Sequence, residues 1–306
     1  MTMSNHTSMN QPHGLTSLQK EHIAKQCVCC GSVKLKKSAA ILMPFVAHRA
    51  LGWQPVEIDD SWGLNTIANG YAYTVCNSLY CEDCAFLFLD IRFSDQELHD
   101  LYQGYREQDY VDLREHYEPG YRERNAALNE GENYLEKVES FLNPFLTLPI
   151  NMLDWGGDTG KNSPFKEHCK QFHIYDISSK PVVAGATRID KTTAMNNEYD
   201  LIVSSNVLEH VPYPADVVLD MKKAMGPQTV LYIEVPYEEV MRTANGKTDL
   251  HMRKKHWHEH INFFSEQSLR TLLKQCGLRV LALKHISEDS HGRSVSLTQI
   301  ACQLQS

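Results

Sequence analysis

The sequence predicts an α/β protein in which helices cover a mostly parallel sheet, with a small cysteine-rich module in front of it. Three observations predict this fold class. From about residue 116 onward, helical and strand patterns alternate. An apolar strand runs into a glycine-rich turn, "MLDWGGDTGKN", at residues 152–162. Six of the nine cysteines lie between Cys27 and Cys84.

Hydrophobic periodicity predicts the elements of the alternating region in order. A helix is expected over residues 125–142, followed by a strand at 150–155 and a loop leading into a helix at 161–170. The remaining expected strands cover residues 172–177, 187–190, 199–206, 229–236, 278–284 and 294–304. Helices are expected at 214–225 and 265–277, the second with Ser265 as its N-terminal cap.

Length, composition and charge set the broad class of the protein. The 306 residues are 42% hydrophobic and 22% charged, which is ordinary for a globular protein with a sizeable core. A formal net charge of −8 argues against a general nucleic-acid binder. No apolar run approaches the roughly 20 residues that span a bilayer, and the polar first residues do not resemble a signal peptide. We therefore expect a cytoplasmic protein with a flexible tail at residues 1–22.

The glycine turn does not fit either common phosphate-binding motif. In the P-loop and in the dinucleotide fingerprint, the position of Trp155 belongs to a glycine, and Asn162 stands where a P-loop has a hydroxyl residue. Asp154 and Asp158 would also repel a phosphate, because two like charges about 4 Å apart cost on the order of 1 to 4 kcal/mol near a surface. A cationic ligand such as S-adenosylmethionine, with its ammonium and sulfonium, would be attracted instead.

The three glycines of this turn, Gly156, Gly157 and Gly160, would let the backbone approach such a ligand closely, since no Cβ intervenes. An alternative is that they only turn a strand into a helix, with Asp158 and Thr159 as its caps.

Downstream residues extend the predicted cofactor site. Asp176 ends the next strand, where a carboxylate can accept hydrogen bonds from both ribose hydroxyls, and Ile177 follows it directly. Asp190, after the third strand, could accept a hydrogen bond from the adenine amino group. Asn206 begins the tail of the fourth strand, "SSNVLEHVPYP", which would run along the methionine end of the cofactor.

The order of these motifs resembles the class I S-adenosylmethionine-dependent methyltransferases. The resemblance is carried by "LDWGGDTG", "YDIS", "RID", "YDLIVSSNVLEHV", "LYIEVP" and "HEHINFFSEQSLRTLLKQCGLRV", and it covers roughly residues 125–306. It implies a Rossmann-like sheet of seven strands, mostly parallel. Five residues match the family's cofactor positions, namely Asp154, Gly156, Gly160, Asp176 and Asp190. The family often has a glycine where this sequence has Asp158.

Two cysteine pairs predict a zinc site in the N-terminal module, residues 23–115. Cys27 and Cys30 form one C-x-x-C pair, and Cys81 and Cys84 form the other. Four thiolates suit tetrahedral Zn²⁺ and leave no open position, so the ion would be structural. Cys29 and Cys76 are spare thiols that could replace a ligand, and metal-free buried cysteines are the alternative.

The segment "YCEDCAFLFLDIRFSDQELHDLYQGYREQDY" resembles the zinc-binding N-terminal module of sugar methyltransferases, including those that C-methylate nucleotide-linked keto-sugars. This resemblance implies a sugar or sugar-nucleotide acceptor for the methyltransferase domain at residues 116–306.

The block "HWHEH", residues 256–260, contains the candidate catalytic residues. His260 is the expected general base and His258 the second choice, because imidazole titrates near neutral pH. Glu259 could orient a histidine or hold a substrate hydroxyl. Packing of the loop is the alternative for both histidines. Sugar C-methyltransferases have a tyrosine where Trp257 stands, and the missing phenol favours O-methylation.

These observations together predict methyl transfer from S-adenosylmethionine to a sugar or sugar nucleotide, in a surface-polysaccharide or secondary-metabolite pathway. Two alternatives stay open. The acceptor could be another small molecule, or the protein could be a non-catalytic zinc- and cofactor-binding member of a pathway.

Overall fold

The computed structural model describes residues 20–123, 135–178, 180–290 and 293–305. The strands are, in chain order, β1 Leu35–Leu42, β2 Val56–Ile58, β3 Gly70–Ala72, β4 Val75–Cys81, β5 Leu87–Leu89, β6 Ile150–Trp155, β7 Cys169–Tyr175, β8 Thr187–Arg188, β9 Tyr199–Ser205, β10 Met225–Pro236, β11 His256–Trp257, β12 Asn262–Phe263, β13 Leu278–Ser290 and β14 Arg293–Leu304. The helices are α1 Pro44–Leu51, α2 Asp95–Tyr102, α3 Gln108–Tyr117, α4 Leu135–Leu142, α5 Lys191–Met195, α6 Pro214–Lys222, α7 Glu239–Arg242, α8 Leu250–Arg253 and α9 Glu266–Gln275.

A seven-stranded sheet forms the larger part of the molecule, in the order β13-β14-β10-β9-β6-β7-β8. The five strands from β10 to β8 pair in parallel, while β14 pairs antiparallel with both β10 and β13. The prediction of a Rossmann-like, mostly parallel sheet of seven strands is confirmed. The strand order reverses at β6, and open α/β sheets bind ligands at such a point, in a crevice outside the carboxyl ends of the strands, here β6 and β9.

Most of the expected elements of this region form close to their expected positions. Helix α9 begins after Ser265, whose Oγ accepts a hydrogen bond from the backbone N–H of Ser268, so the predicted cap is confirmed. Helix α4 covers the end of the helix expected at residues 125–142, and residues 124–134 lie outside the described ranges. No helix in the described ranges is both long and apolar enough to cross a lipid bilayer.

The loop-into-helix prediction for residues 161–170 is wrong. The segment between the glycine turn and β7 consists of turns and one 3₁₀ turn, Lys166–His168. Pro164 has no backbone N–H to donate, and Phe165 adopts a left-handed φ of 54°. Both features interrupt an α-helix at this point. Asp158 and Thr159 therefore cap no helix here.

The N-terminal module contributes a second sheet of five strands, in the order β11-β1-β4-β5-β12. Its two edge strands come from the other end of the chain, because β11 pairs in parallel with β1 and β12 pairs antiparallel with β5. The domain boundary near residue 116 stays a prediction, and strands from both of its sides share this sheet. Residue 22 is also tied to the fold, because its carbonyl oxygen accepts a hydrogen bond from the backbone N–H of Arg92.

A buried arginine joins this second sheet to the crevice. The guanidinium of Arg92 donates to the side-chain oxygen of Asn262 and to the carbonyl oxygen of Pro212. The Asn262 side chain in turn donates to the carbonyl oxygens of Leu208 and Val211. These bonds fix the loop after β9 against the strand that follows the predicted catalytic block.

Candidate active site

The glycine turn follows β6 and is shaped by two glycines in the left-handed region. Gly156 has φ 89° and Gly160 has φ 79°, conformations that an L-residue adopts only with strain. A Cβ on Gly156 would lie 2.4 Å from Cγ2 of Val207, and one on Gly160 would lie 2.4 Å from Cδ1 of Ile174. The turn is thus packed directly against the loop after β9 and against β7.

Asp154 is buried beneath the turn. Its carboxyl group accepts a hydrogen bond from the Ser163 hydroxyl, and a Cβ on Gly157 would lie 2.5 Å from its Cγ. Burial, with a smaller contribution from the charge of Asp176, raises the pKa of Asp154 to about 7, although the bond from Ser163 opposes the shift. In this structure Asp154 supports the turn from below and is only partly ionised at neutral pH.

Asp158 and Asp176 hold the turn and the end of β7 together. The backbone N–H of Asp158 donates to Oδ2 of Asp176 at 2.9 Å, and the Ser178 hydroxyl donates to Oδ1 of Asp158 at 3.0 Å. Lys180 Nζ lies 3.6 Å from Oδ2 of Asp158. This lysine and the raised pKa of Asp154 make the turn less negative than the two acids in the sequence suggest.

Three further predicted cofactor residues lie at the same edge of the sheet. Ile177 follows Asp176 and is 74% exposed. Asp190 is exposed, and its Oδ1 caps α5 by accepting from the backbone N–H of Thr193. Asn206, with φ 54°, is also exposed, and its backbone N–H donates to the carbonyl oxygen of Glu234.

His260 is held by a glutamate that the sequence analysis missed. Its Nδ1 lies 2.9 Å from Oε1 of Glu238, and its side chain is 34% exposed. Burial alone would lower the pKa of His260, but the bond to Glu238 and the charges of Glu209 and Glu259 raise it above the usual value. The sequence could have indicated Glu238 as a site residue, because it lies just beyond the carboxyl end of β10, where ligands bind in such sheets.

Glu209 and His210 face His260 from the loop after β9. One ligand-type atom of each of these three side chains lies within 4.8 Å of the other two. His210 Nδ1 lies 2.8 Å from the Tyr102 hydroxyl and 3.2 Å from the carbonyl oxygen of Glu259. Burial, with the nearby charge of His260, lowers the pKa of His210 to about 3, so this ring is neutral.

Glu259 and His258 contact residues at the C-terminal end of helix α3. Glu259 Oε1 lies 2.6 Å from Arg114 Nη2, and this guanidinium lowers the pKa of Glu259 to about 2 against the effect of burial. His258 Nδ1 lies 3.4 Å from Oε1 of Glu118, which also pairs with Arg114. Neither side chain belongs to the cluster of Glu209, His210 and His260, although the charge of Glu259 acts on His260.

Trp257 is buried in β11, and its indole N–H donates to the Ser78 hydroxyl at 2.8 Å. The side chain at this position faces the core, so the absence of a phenol here carries no information on whether carbon or oxygen is methylated.

The structure brings the four predicted zinc ligands together. Their sulfur atoms all lie within 4.8 Å of one another, with Sγ–Sγ distances of 3.6 Å for Cys27–Cys84 and 3.5 Å for Cys30–Cys81. A tetrahedral zinc site with Zn–S bonds of about 2.3 Å requires sulfur atoms roughly 3.8 Å apart. The donor set and its spacing therefore fit one Zn²⁺.

Of the two spare cysteines, Cys29 lies beside Cys27 and Cys84, whereas Cys76 lies apart from the group. The Cys29 thiol donates to the carbonyl oxygen of Ser268 in α9, and Cys76 packs in the separate core of the N-terminal module. The cysteine cluster also contacts the far end of α9, where the side chain of Gln275 donates to the carbonyl oxygen of Cys30.

The order of the seven strands and the glycine turn after β6 define a Rossmann-like, S-adenosylmethionine-dependent methyltransferase. Residues 122–283, more than half of the chain, match the family described as methyltransferase domain, and the chain belongs to this family. No curated protein matches the sequence.

Solved methyltransferase structures are similar at low identity. Magnesium protoporphyrin IX methyltransferase from Synechocystis PCC 6803, with bound S-adenosylhomocysteine, is 13% identical with a TM-score of 0.45, covering 70% of this chain and 100% of that one. The glycopeptide N-methyltransferase complexed with sinefungin is 11% identical with a TM-score of 0.42, covering 56% and 94%. An S-adenosylmethionine-dependent methyltransferase from Clostridium acetobutylicum ATCC 824 is 10% identical with a TM-score of 0.42, covering 65% and 100%.

Proposed function

We propose that this enzyme transfers the methyl group of S-adenosylmethionine to a sugar or sugar nucleotide, with His260 as general base. The observation that carries the proposal is the hydrogen bond between His260 and Glu238 in a partly exposed position beside the crevice. The resemblance of the cysteine module and of the "HEH" block to sugar methyltransferases supports a sugar acceptor, in a surface-polysaccharide or secondary-metabolite pathway.

The contact with Glu238 sets the tautomer that a base requires. When Nδ1–H donates to the carboxylate, the lone pair of His260 is on Nε2, which can accept a proton from an acceptor hydroxyl or an activated carbon. The cofactor supplies a methyl group on a sulfonium, which is an electrophile. His260 takes the proton of the acceptor, and Glu238 stabilises the imidazolium that forms.

The cofactor would be held at the ends of β6 to β9. We assign this role to Asp154, Gly156, Gly157, Gly160, Asp176, Ile177, Asp190 and Asn206. The missing Cβ atoms of the turn let its backbone pack directly on Val207, Asp154 and Ile174, which fixes the shape of the turn. Each oxygen of Asp176 already accepts one backbone N–H, and a carboxylate has about four acceptor sites, so two remain for ribose hydroxyls.

We propose that Cys27, Cys30, Cys81 and Cys84 hold a structural Zn²⁺ in the N-terminal module. The module has a small core of its own, and a metal would add folding free energy directly. The cytoplasm keeps thiols reduced and so able to bind a metal, and we therefore propose a cytoplasmic location.

The test is a methyl-transfer assay with a panel of nucleoside-diphosphate sugars, preceded by thermal melting in the presence of S-adenosylhomocysteine. A sugar acceptor is expected to raise the melting temperature further and to be methylated. Turnover of non-sugar small molecules alone would refute the sugar assignment. Absence of turnover with every acceptor, despite tight cofactor binding, would favour the non-catalytic alternative.

A further inference from the structure

Glu209 is a buried ionisable group for which the mechanism above has no role. Its side chain is 1% exposed, and neither of its carboxyl oxygens accepts a hydrogen bond from any other residue in the described ranges. Leaving a buried carboxyl group without a hydrogen-bond partner costs folding free energy. Groups of this kind occur preferentially where chemistry requires them.

The carboxyl group of Glu209 faces the proposed base. His210 Nε2 lies 3.8 Å from Oε1 of Glu209, and a ring nitrogen of His260 lies within 4.8 Å of a carboxyl oxygen of Glu209. Because Glu238 occupies Nδ1 of His260, Nε2 is the nitrogen left to exchange a proton. The other charged groups around this pair are Glu234 and Glu238 from β10 and its end, Glu259 from the catalytic block, and Arg114 from α3.

We propose that Glu209 is a further proton-transfer residue of the methyl transfer, one that receives from His260 the proton lost by the acceptor. This inference rests on the proposed function. As the acceptor atom forms its bond to the methyl carbon and the sulfur–carbon bond breaks, the acceptor proton moves to Nε2 of His260. It then passes from Nε2 through one bridging water to the Glu209 carboxylate, because the two side chains lie within 4.8 Å but not in hydrogen-bond contact. This transfer leaves a neutral imidazole and a neutral carboxyl group.

The three acids near His260 differ in their ability to take this proton. Burial raises the pKa of Glu209 to about 7, close to that of an imidazole, so a proton can pass between the two groups in either direction. The hydrogen bond with His260 lowers the pKa of Glu238 against the effect of burial, so Glu238 stays ionised. Arg114 holds Glu259 ionised in the same way.

The test measures the titration of His260 by NMR of the ¹⁵N-histidine-labelled, full-length protein saturated with S-adenosylhomocysteine. The variants are Glu209→Gln, with Glu198→Gln as an exposed control and His260→Gln for signal assignment. Replacing the charge of Glu209 is expected to lower the pKa of His260 by about one unit, the size of shift that opposite charges at this distance produce near a protein surface. An unchanged His260 titration in Glu209→Gln would overturn the inference.

A measurement on the unsubstituted protein covers the case in which Glu209→Gln does not fold. In ¹³C-glutamate-labelled protein, the Glu209 carboxyl signal is expected to titrate near pH 7 together with His260, as coupled groups do. A carboxyl signal that titrates near the usual value of about 4.3 would overturn the inference.

Methyl-transfer rates separate this inference from the proposed function. If His260→Gln is impaired and Glu209→Gln keeps the wild-type rate and pH profile on the same nucleoside-diphosphate sugar, then Glu209 has no part in proton transfer and the base assignment stands. If His260→Gln keeps the wild-type rate, the base assignment itself fails.

Discussion

His260 and Glu238 form a hydrogen bond of 2.9 Å between Nδ1 and Oε1, across 22 positions of sequence. Glu238 follows β10 of the seven-stranded sheet, while His260 lies between β11 and β12, the two edge strands of the five-stranded sheet. The proposed base is therefore positioned by both sheets at once. The module at the start of the chain thereby helps to fix the geometry of the crevice.

Replacing His260 by alanine is expected to slow methyl transfer by roughly 10²–10⁴, the usual contribution of a general base. Affinity for S-adenosylhomocysteine, measured by calorimetry, should stay unchanged because the glycine turn is intact. His99→Ala, an exposed histidine on α2, serves as the control and should keep the wild-type rate. Wild-type turnover in His260→Ala would refute the assignment.

Glu238→Gln is expected to shift the pH profile of kcat/KM. Glu238 contributes to raising the pKa of His260, so the unprotonated base forms only as the pH rises above the usual value of about 6.5. Without this carboxylate the acidic limb of the profile should move to lower pH, and the maximum rate should fall.

The same raised pKa favours protonation in the folded state. The stabilisation due to this pair is full below pH 6.5 and is lost as the pH rises through the folded-state pKa. Urea unfolding should therefore show Glu238→Gln to be less stable than the wild type at pH 5.5, with the difference shrinking at pH 9. A constant difference across this range would contradict the linkage.

Cys81→Ser is expected to reduce the zinc content well below the value of about one ion per chain expected for a four-cysteine site. It should also lower the melting temperature, because metal binding contributes to folding. Cys76→Ser, in the same strand β4, is the matched control and should keep its zinc. Mass spectrometry of metal content decides the outcome, and a full equivalent in Cys81→Ser would argue against ligation.

Gly160→Ala is expected to weaken cofactor binding and to destabilise the protein by about 1–3 kcal/mol, the cost of a strained backbone position. The new Cβ would lie 2.4 Å from Ile174, and the turn must shift to relieve that contact. Gly185→Ala is a matched control, since Gly185 has φ 84° but nothing within 4 Å of its Cβ position. Equal effects of the two variants on S-adenosylhomocysteine affinity would show that the close contact is irrelevant.

Asp154→Asn is expected to flatten the pH dependence of stability. The folded-state pKa of Asp154 is about 7, above its usual value, so the folded protein binds more protons and loses stability as the pH rises toward 7. For this group alone, the loss between pH 5 and 8 is about 2–3 kcal/mol. Urea unfolding at both pH values should show this loss in the wild type and not in Asp154→Asn.

Local patterns in the sequence were sufficient for the strands of the seven-stranded sheet, the glycine turn and the cysteine pairs, but not for the strands of the five-stranded sheet. The apolar run before Gly156 and Gly157 predicts a strand followed by a turn, because strand burial and turn geometry depend on neighbouring residues. The helix expected at residues 161–170 failed because Pro164 and the left-handed Phe165 outweighed its weak periodicity. The prediction that the negative charges of Asp154 and Asp158 make the turn attract a cationic ligand was only partly correct. Burial raises the pKa of Asp154, and Lys180 lies close to Asp158, so the turn carries less negative charge than expected.

The sequence by itself determined the class of fold, the family of motifs and the residue types available for chemistry, because these depend on residues close together in the chain. Only the tertiary structure decided which groups meet: Glu238 with His260, Arg114 with Glu259, and the unpaired carboxyl group of Glu209 beside both histidines. The physical reason is that these contacts form between distant segments. The pKa of each group follows from burial and from neighbouring charges that exist only once the two sheets are packed.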